Sequence, residues 1–383
     1  MRAASPLPEP DEAARAQSAA VVAAVHRAID AAGGWIPFER YMQLVLYAPG
    51  LGYYAAGARK FGVQGDFVTA PEMTPLFART LSRPLARMLD RAKARDVLEL
   101  GAGSGALAAD LIAAWQAQGE PPVRYRILEV SPDLRARQQA RLSAHDGVEW
   151  IDALPDRIDG VVVMNEVLDA VPAHIVVRDG GRWLERGVSW NGGLRLADRT
   201  LGDDALRALA QERFPAAADY ASEINPVAEA LVQSIGERLQ SGSLIVIDYG
   251  FPQREYYHPQ RSAGTLMGHY RHRAHADPFL WPGLSDLTAH VDFTAMALAA
   301  ERAGLVVEAF VSLAAFLVAA GITDELARVG DATSQAFVRE AAAVQRLVSP
   351  AEMGELFKVM LAARDGDGIV WPDIADMDRA HRL

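Results

Sequence analysis

Short apolar runs alternate with longer amphipathic stretches from residue 95 onward. Helices are predicted at residues 106–118 and 133–144, each between two apolar runs. An apolar run, a helical stretch and a second apolar run make a βαβ unit, whose two strands lie parallel in one sheet. The pattern predicts an α/β fold with a doubly wound sheet and a ligand site at the carboxyl ends of its strands. The apolar runs place strands at residues 96–100, 125–129, 148–151, 161–164, 244–249, 305–311 and 357–362.

The rest of the chain divides into a tail, an N-terminal region and insertions in the core. Residues 1–12 are rich in proline and are predicted to be a disordered tail, and residues 13–94 are predicted to hold helices and a loop over the site. The turn Asp179-Gly180-Gly181 between two alternating segments predicts a β-hairpin, whereas residues 250–290 are predicted to be a long loop. The core is expected at residues 95–383, with insertions at about 170–240, 250–290 and 313–355.

The chain of 383 residues carries a net charge of −11 and contains no cysteine. An acidic surface repels a phosphate backbone, so nucleic acid is not expected as a partner, and a cationic substrate is favoured. The lack of cysteine excludes disulfides, thiol catalysis and cysteine-held metals. The N-terminus lacks the apolar segment of a secretory signal, which predicts a cytoplasmic protein. The apolar stretch 305–322 is interrupted by Glu308, so a strand and a buried helix are predicted there, and membrane insertion is not.

Three glycines at alternate positions, Gly101, Gly103 and Gly105, lie between the first predicted strand and the next helix. Glycine permits a tight turn and close approach of a ligand to the backbone, and the start of the helix presents free N–H groups. The same segment also satisfies the dinucleotide pattern G-x-G-x-x-G/A. The glycines alone therefore leave NAD and S-adenosylmethionine open as cofactors.

Acidic residues at the ends of three consecutive strands separate these two cofactors. Glu99 stands two residues before Gly101, where a carboxylate disfavours a pyrophosphate but suits the cationic sulfonium and ammonium of S-adenosylmethionine. Glu129 ends the second strand and is placed to accept hydrogen bonds from both ribose hydroxyls. Asp152 follows the third strand, with Ala153 beside it, and is a candidate for binding the adenine amino group. The acids favour S-adenosylmethionine as the cofactor, with S-adenosylhomocysteine as its product.

Asn165, Glu166 and Asp169 follow the fourth predicted strand. Methyl transfer is an in-line displacement, so the enzyme mainly aligns the nucleophile. A guanidinium nucleophile needs carboxylates to orient it and to localise its charge. If a helical turn begins there, the i, i+3 spacing puts Glu166 and Asp169 on one face of it. Both are predicted to be catalytic, and Asn165 is predicted to contact the cofactor. The alternative is that Asp169 or Asn165 caps a helix before Pro172.

Residues 65–72 are predicted to fold over the cofactor. Asp66 is a further candidate catalytic residue, and either Asp66 or Glu72 would bind the ammonium of the donor or the substrate. Thr69 and Pro71 are candidate cofactor contacts. The alternative is a structural turn in which Thr69 or Glu72 caps the next helix.

Two other polar clusters allow competing interpretations. Asp286, His290 and Asp292 have a spacing that suggests a metal site, but Asp292 is placed to cap a helix and methyl transfer to nitrogen needs no metal, so no metal is predicted. Residues 271–275 contain two arginines and two histidines. This basic segment is either a solvated loop or a docking site for an acidic surface of a protein substrate.

Several longer motifs occur along the chain, among them GDFVTAPE at 65–72, NEVLDAVP at 165–172 and DLTAHVDF at 286–293; the others lie at residues 41–54, 99–105, 248–250, 264–266 and 353–359. Through these motifs the chain resembles the MidA-like family of class I methyltransferases. The resemblance implies a Rossmann-like fold with a seven-stranded, mostly parallel sheet, an antiparallel last strand, N-terminal helices and inserted helical and hairpin segments. It also implies N-methylation of arginine on a protein, which in the mitochondrial member is a subunit of respiratory complex I. Val167-Leu168 departs from the family pattern, which has two phenylalanines there.

The residues and the resemblance together predict a methyltransferase that uses S-adenosylmethionine to methylate arginine on a protein, with a respiratory complex I subunit as a candidate partner. Two alternatives have the same cofactor. The first is a methyltransferase that acts on small molecules, which is favoured if the site is too enclosed for a peptide. The second is an assembly factor that binds the donor without turnover. An NAD-dependent dehydrogenase is the third alternative. The sequence leaves the oligomeric state open.

Overall fold

The computed structural model describes residues 7–56, 69–216, 219–365 and 372–383. Its helices are α1 (Glu12–Ala31), α2 (Phe38–Tyr47), α3 (Ala70–Met73), α4 (Pro75–Arg91), α5 (Ala106–Gln118), α6 (Pro132–Arg141), α7 (Asp204–Arg213), α8 (Pro226–Arg238), α9 (Gln253–Tyr256), α10 (Phe293–Arg302), α11 (Leu313–Ala319), α12 (Ile322–Ala327), α13 (Gln335–Val348), α14 (Met353–Leu356) and α15 (Pro372–Ala375). Its strands are β1 (Trp35–Pro37), β2 (Asp96–Leu100), β3 (Arg124–Leu128), β4 (Val148–Ile151), β5 (Ile158–Asn165), β6 (His174–Asp179), β7 (Arg182–Trp190), β8 (Leu194–Thr200), β9 (Tyr220–Ile224), β10 (Leu239–Phe251), β11 (Met267–Tyr270), β12 (Arg273–His275), β13 (Asp286–Thr288), β14 (Val291–Asp292), β15 (Leu305–Ser312) and β16 (Phe357–Arg364).

The chain forms two compact units. The insertion unit consists of residues 1–67, 170–227 and 254–290, and the sheet unit consists of residues 68–169, 228–253 and 291–383. Helix α4, on the N-terminal side of the predicted boundary at residue 94, belongs to the sheet unit. It packs against α5, where Trp115 Nε1 donates a hydrogen bond of 2.8 Å to the Ser82 carbonyl. Within the predicted tail, the Asp11 side chain accepts a hydrogen bond from the Ala14 amide and caps α1.

The sheet unit is built on strands in the order β15-β16-β10-β5-β2-β3-β4, with the short strand β14 beside β10. Strands β2, β3, β4, β5 and β10 pair in parallel, and β16 pairs antiparallel with both β10 and β15. This confirms the predicted class I fold with an antiparallel last strand. The β5 residues Val161, Val162 and Val163 are fully buried, because a central parallel strand is covered by helices on both faces.

The strand order reverses beside β2. From β2 the chain continues to β3 and β4 on one side, and β5 then pairs with the other side of β2. In such a sheet a crevice opens at the carboxyl ends of the two strands where the order reverses. The register pairs Leu100 with Met164, so the segments that begin at Gly101 and Asn165 leave the sheet side by side. The topology therefore brings the glycine loop next to the acidic segment after β5.

The insertion unit contains a sheet in the order β1-β7-β6-β9, with β8 paired to β7, and a second sheet in the order β12-β11-β13. The predicted hairpin is confirmed, since β6 and β7 pair from Asp179 opposite Arg182. The prediction of a long loop at 250–290 is wrong, because that segment contains α9, β11, β12 and β13. These strands have only three or four residues, too few for a period of two to stand out in a sequence.

In the described part of the chain, no helix is both long and apolar enough to cross a membrane. The apolar stretch 305–322 forms β15 and α11, as predicted, and then starts α12. Asp292 caps α10 as predicted, since its side chain accepts hydrogen bonds from the amides of Thr294 and Ala295.

Candidate active site

The loop between β2 and α5 holds its three glycines in the left-handed region of backbone space. The φ angles are 62° at Gly101, 54° at Gly103 and 79° at Gly105, values that residues with a Cβ atom rarely adopt. Gly105 is the N-cap of α5, so the first N–H groups of that helix have no partner within it. A Cβ atom at Gly101 would lie 3.2 Å from the Val167 side chain. The loop thus offers bare backbone to a ligand beside the segment that follows β5.

Glu129 immediately follows β3 and is buried. Its carboxylate accepts hydrogen bonds from the Ser131 amide at 2.9 Å and from Gln138 Nε2 at 2.8 Å. The same Gln138 nitrogen donates to the Gly103 carbonyl at 2.9 Å, and Gln138 Oε1 accepts from Trp150 Nε1 at 3.0 Å. Gln138 therefore fixes the acid relative to the glycine loop. This role of Gln138 was not predicted from the sequence. The one feature of the sequence that could have indicated it is the position of a polar glutamine on the buried face of the short helix α6.

Glu99 lies on β2 and is 3% exposed. Its Oε2 accepts a hydrogen bond of 2.7 Å from the Tyr125 hydroxyl on the neighbouring strand. Burial raises the pKa of Glu99 to about 7, the Tyr125 hydrogen bond lowers it, and the charge of Glu129 raises it. A positive charge near the carboxyl group would favour its ionised form. Contact between Glu99 and the cationic end of the donor stays a prediction.

Asp152 and Ala153 follow β4 on the surface of the sheet unit. The Asp152 side chain is 85% exposed and forms an ion pair with Arg135. Arg135 also donates to the Trp150 carbonyl at 3.2 Å. These contacts place both residues at the carboxyl end of β4, as predicted, and adenine binding there stays a prediction.

The turn after β5 carries the predicted catalytic pair. Glu166 has a φ of 54°, which is uncommon for a residue with a long side chain. Its Oε1 accepts hydrogen bonds of 3.3 Å from the Ala70 amide and from Asn165 Nδ2. Burial and the charge of Asp169 raise the pKa of Glu166 to about 8, whereas the bonds from Ala70 and Asn165 lower it. Asp169 is 6% exposed, so two acids share one poorly solvated turn.

Asp248, on β10, completes this group of acids, and its role was not predicted. It is fully buried, and its Oδ2 accepts hydrogen bonds from the amides of Val167, Leu168 and Asp169. Burial, followed by the charges of Asp169 and Glu166, raises the pKa of Asp248 well above its usual range. The sequence contains a signal for it, because Asp248 is the one charged residue in the apolar run from Leu244 to Tyr249.

Helix α3 joins the glycine loop to the turn after β5. The Ala70 amide donates to Glu166 Oε1, and the Glu72 carboxylate accepts a hydrogen bond from the Ser104 hydroxyl. Arg141 donates to Ser104 Oγ at 2.9 Å and lies 3.4 Å from Glu72 Oε1. Glu72 thus ties α3 to the glycine loop and to α6.

The other residues of the predicted segment over the cofactor have separate outcomes. Asp66 lies outside the described residues. Thr69 is the N-cap residue of α3 by its backbone, but its side chain does not make the capping hydrogen bond, and Pro71 lies in the first turn of that helix. Contact of Thr69 and Pro71 with the cofactor stays a prediction. Among the described residues, no group of three or more acids and histidines is arranged to hold a metal ion.

S-adenosylmethionine fits the chemistry of these residues. The left-handed glycines leave the backbone of the loop without side chains, and the buried Glu129 carboxylate is an acceptor suited to ribose hydroxyls. The Asn165 Oδ1 atom is buried and has no hydrogen-bond partner within the described part of the chain, which leaves an acceptor for a group such as the donor's ammonium. The family model for S-adenosyl-L-methionine-dependent methyltransferases matches residues 77–311. The chain belongs to this family.

Solved structures agree with the family assignment. A superfamily member from Burkholderia thailandensis bound to S-adenosyl-homocysteine is 48% identical, with a TM-score of 0.94 over 99% of this chain and 100% of that one. A native structure from the same superfamily and organism is also 48% identical, with a TM-score of 0.90 over the same shares. The methyltransferase therefore uses S-adenosylmethionine, which excludes the dinucleotide alternative.

Curated relatives are more distant. The mitochondrial protein arginine methyltransferase NDUFAF7 of Mus musculus is 28% identical over 302 residues, which cover 68% of this chain and 65% of the relative. The homologue of Drosophila melanogaster is 27% identical over 343 residues, which cover 78% and 74%. The chain thus matches about two thirds to three quarters of the length of these relatives. Both are mitochondrial by name, and a cytoplasmic location for this methyltransferase stays a prediction.

Proposed function

We propose that this methyltransferase N-methylates arginine side chains of a protein substrate. The observation that carries the proposal is the pair of acids, Glu166 and Asp169, on the turn that leaves β5 beside the glycine loop. This is the place where the strand order reverses and where ligands of doubly wound sheets bind. Two carboxylates on one turn match the several N–H donors of a guanidinium group.

The electrostatics of the turn favour a cationic acceptor. The pKa of Glu166 is raised to about 8 by burial and by Asp169, and the pKa of Asp248 is raised by burial and by both of these acids. Nearby negative charges and poor solvation disfavour ionisation, and a guanidinium placed among the carboxyl groups would reverse that effect. Arginine keeps its charge at any physiological pH, so it is the amino-acid side chain best suited to this turn.

The chain's residues act by holding and orienting the acceptor. The bound donor supplies an electrophilic methyl group on a sulfonium. A guanidinium nitrogen forms the new N–C bond while the S–C bond breaks, that nitrogen gives up one proton to water, and the sulfur of S-adenosylhomocysteine takes the electron pair of the S–C bond and becomes a neutral thioether. Glu166 and Asp169 accept hydrogen bonds from the other guanidinium nitrogens, which leaves the attacking nitrogen aligned and lowers its share of the positive charge.

The relatives add independent support for arginine, since the curated matches are named as protein arginine methyltransferases. From the resemblance to the MidA-like family we infer a subunit of respiratory complex I as the candidate protein substrate. We also propose the cytoplasm as the location of this methyltransferase.

The test uses extract from cells that lack this gene. The substrate protein in such an extract has not been methylated by the enzyme and can still accept a methyl group. Purified protein and donor labelled in the methyl group are added, and mass spectrometry then locates the label. Methylated arginine in protein is the expected product, and Glu166→Gln should lower its formation by about tenfold or more while the affinity for S-adenosylhomocysteine is kept. Glu149→Gln, an exposed acid on β4, is the control and should behave as wild type.

Other products would decide among the alternatives. Label in small molecules alone would replace this proposal by a metabolite methyltransferase. Donor binding without any labelled product, together with a stable partner complex, would indicate an assembly factor without turnover.

A further inference from the structure

The buried carboxyl group of Asp248 makes more hydrogen bonds to backbone than to side chains. Its Oδ2 accepts from the amides of Val167 at 3.2 Å, Leu168 at 2.9 Å and Asp169 at 3.3 Å. Its Oδ1 accepts from the Tyr249 amide at 2.9 Å. Three successive amides that converge on one acceptor form a nest, an arrangement that binds anions. The turn after β5 is thus folded around the Asp248 side chain, 79 to 81 residues away in the chain.

The nest explains how the chain keeps Glu166 in a left-handed conformation. Its φ of 54° is strained for a residue with a side chain, and such a conformation persists only where the surroundings enforce it. On the N-terminal side the Glu166 amide donates to the Ile247 carbonyl at 2.8 Å. On the C-terminal side the next three amides are bound by Asp248. The backbone of Glu166 is therefore held from both sides by two consecutive residues of β10.

The two acids proposed to orient the acceptor stand at either end of this nest. Glu166 precedes its first amide, and Asp169 supplies its last one. Their carboxyl groups therefore take their directions from a backbone whose shape Asp248 sets. The distance between the two acids depends on the nest, because no regular helix or strand covers residues 166–169.

We propose that Asp248 is a positioning residue for methyl transfer, which shapes the 166–169 turn so that Glu166 and Asp169 face the methyl acceptor together. The inference rests on the proposed role of these two acids and does not depend on whether the acceptor is arginine. Asp248 itself touches neither donor nor acceptor in this scheme and acts through the backbone.

The experiment compares Asp248→Asn with a matched control. Asparagine keeps the size of the side chain but offers one acceptor oxygen in place of two, so either the nest or the Tyr249 amide loses its acceptor. Asp292→Asn is the control, because Asp292 is also buried, lies in the same unit and accepts two amides, those of Thr294 and Ala295. If the replacement of a buried, amide-binding carboxyl group by an amide is enough to slow methyl transfer, the two variants should lose activity equally.

Three quantities are measured on the full-length protein: affinity for S-adenosylhomocysteine, hydrogen exchange of the peptide that covers 165–170, and transfer of labelled methyl groups into extract of cells that lack the gene. For Asp248→Asn we expect affinity within about threefold of wild type, faster exchange in 165–170, and transfer slower by about tenfold or more, the size expected when a buried amide is left without its acceptor. Asp292→Asn should keep exchange in 165–170 and the transfer rate at wild-type values.

A double variant separates positioning from general damage. If Asp248 acts through Glu166, then Asp248→Asn should slow the Glu166→Gln enzyme by much less than it slows wild type, because residues that act as a unit are not additive. Transfer by Asp248→Asn within threefold of wild type, unchanged exchange in 165–170, or full additivity with Glu166→Gln would each overturn the inference. Methylation of an acceptor other than arginine would contradict the proposed function and leave this inference standing.

Discussion

Replacement of Glu99 by glutamine should change how the stability of the methyltransferase depends on pH. Glu99 is 3% exposed, and its pKa is raised from 4.5 to about 7, chiefly by burial. The raised pKa means that the folded protein holds a proton on Glu99 between pH 4.5 and 7, whereas the unfolded chain has lost it. The unfolded state is therefore favoured progressively as the pH rises through this window.

The magnitude follows from the difference between the two pKa values. One pKa unit corresponds to about 1.4 kcal/mol, so the shift from 4.5 to about 7 corresponds to about 3 kcal/mol of unfolding free energy that wild type loses across the window. Glutamine can still accept the hydrogen bond from Tyr125 but has no proton to lose. The charge of Glu129 acts on Glu99 in wild type alone and is part of this shift. The remaining acids titrate in both proteins, so their contributions cancel in the difference between them.

The assay is urea denaturation followed by tryptophan fluorescence at pH 5, 6, 7 and 8. The unfolding free energy of Glu99→Gln minus that of wild type should rise by about 2 to 3 kcal/mol between pH 5 and 7 and then level off. Glu149→Gln, at an exposed acid, controls for the loss of one carboxylate. A difference between Glu99→Gln and wild type that stays constant over the whole range would refute the assignment of a raised pKa to Glu99.

Two further predictions concern the cofactor loop and the basic hairpin. Glu129→Ala removes the carboxylate at the end of β3, and Gly103→Val forces a branched residue to a φ of 54°. Each variant should weaken the affinity for S-adenosylhomocysteine, measured by calorimetry, by about a hundredfold or more. Affinity retained in both variants would show that the site lies elsewhere. The hairpin of β11 and β12 exposes Arg271 and Arg273 at its tip. If this hairpin docks an acidic surface of the substrate, replacing both arginines by Glu should slow methylation of whole proteins severalfold and leave cofactor binding unchanged. Arg195→Glu with Arg199→Glu, two exposed arginines on β8, is the matched charge reversal. Equal turnover in the two double variants would argue against docking by the hairpin.

Several features of the fold could be predicted because they depend on neighbouring residues. The helix from Ala106 to Gln118 agrees with its prediction at both ends, since Gly105 and Gly119 stand in left-handed conformations at its two boundaries. The Asp292 cap and the hairpin between β6 and β7 also follow from local hydrogen bonding and turn chemistry. Long apolar runs identified the central strands, because a parallel strand is buried on both faces.

The short strands of the insertion unit could not be predicted in the same way. β9 is buried along its whole length and therefore shows no alternation, and β8 is largely exposed and carries three charged residues. In both strands the pairing with a neighbour decides the structure, and a single segment does not reveal which neighbour it will meet.

The sequence by itself determined the order of the central strands and helices of the sheet unit, the glycine loop and the presence of acids at the ends of β2, β3 and β5. These features follow from hydrophobic period and backbone propensity within a few residues. Only the tertiary structure decided what those acids do. It buried Glu99 against Tyr125, joined Glu129 to the glycine loop through Gln138, and folded the Glu166 turn around Asp248. The physical reason is that burial and hydrogen bonds between residues 9 to 80 positions apart arise only when the sheet assembles. They set the direction of each carboxyl group and the raised pKa values of Glu99 and Glu166.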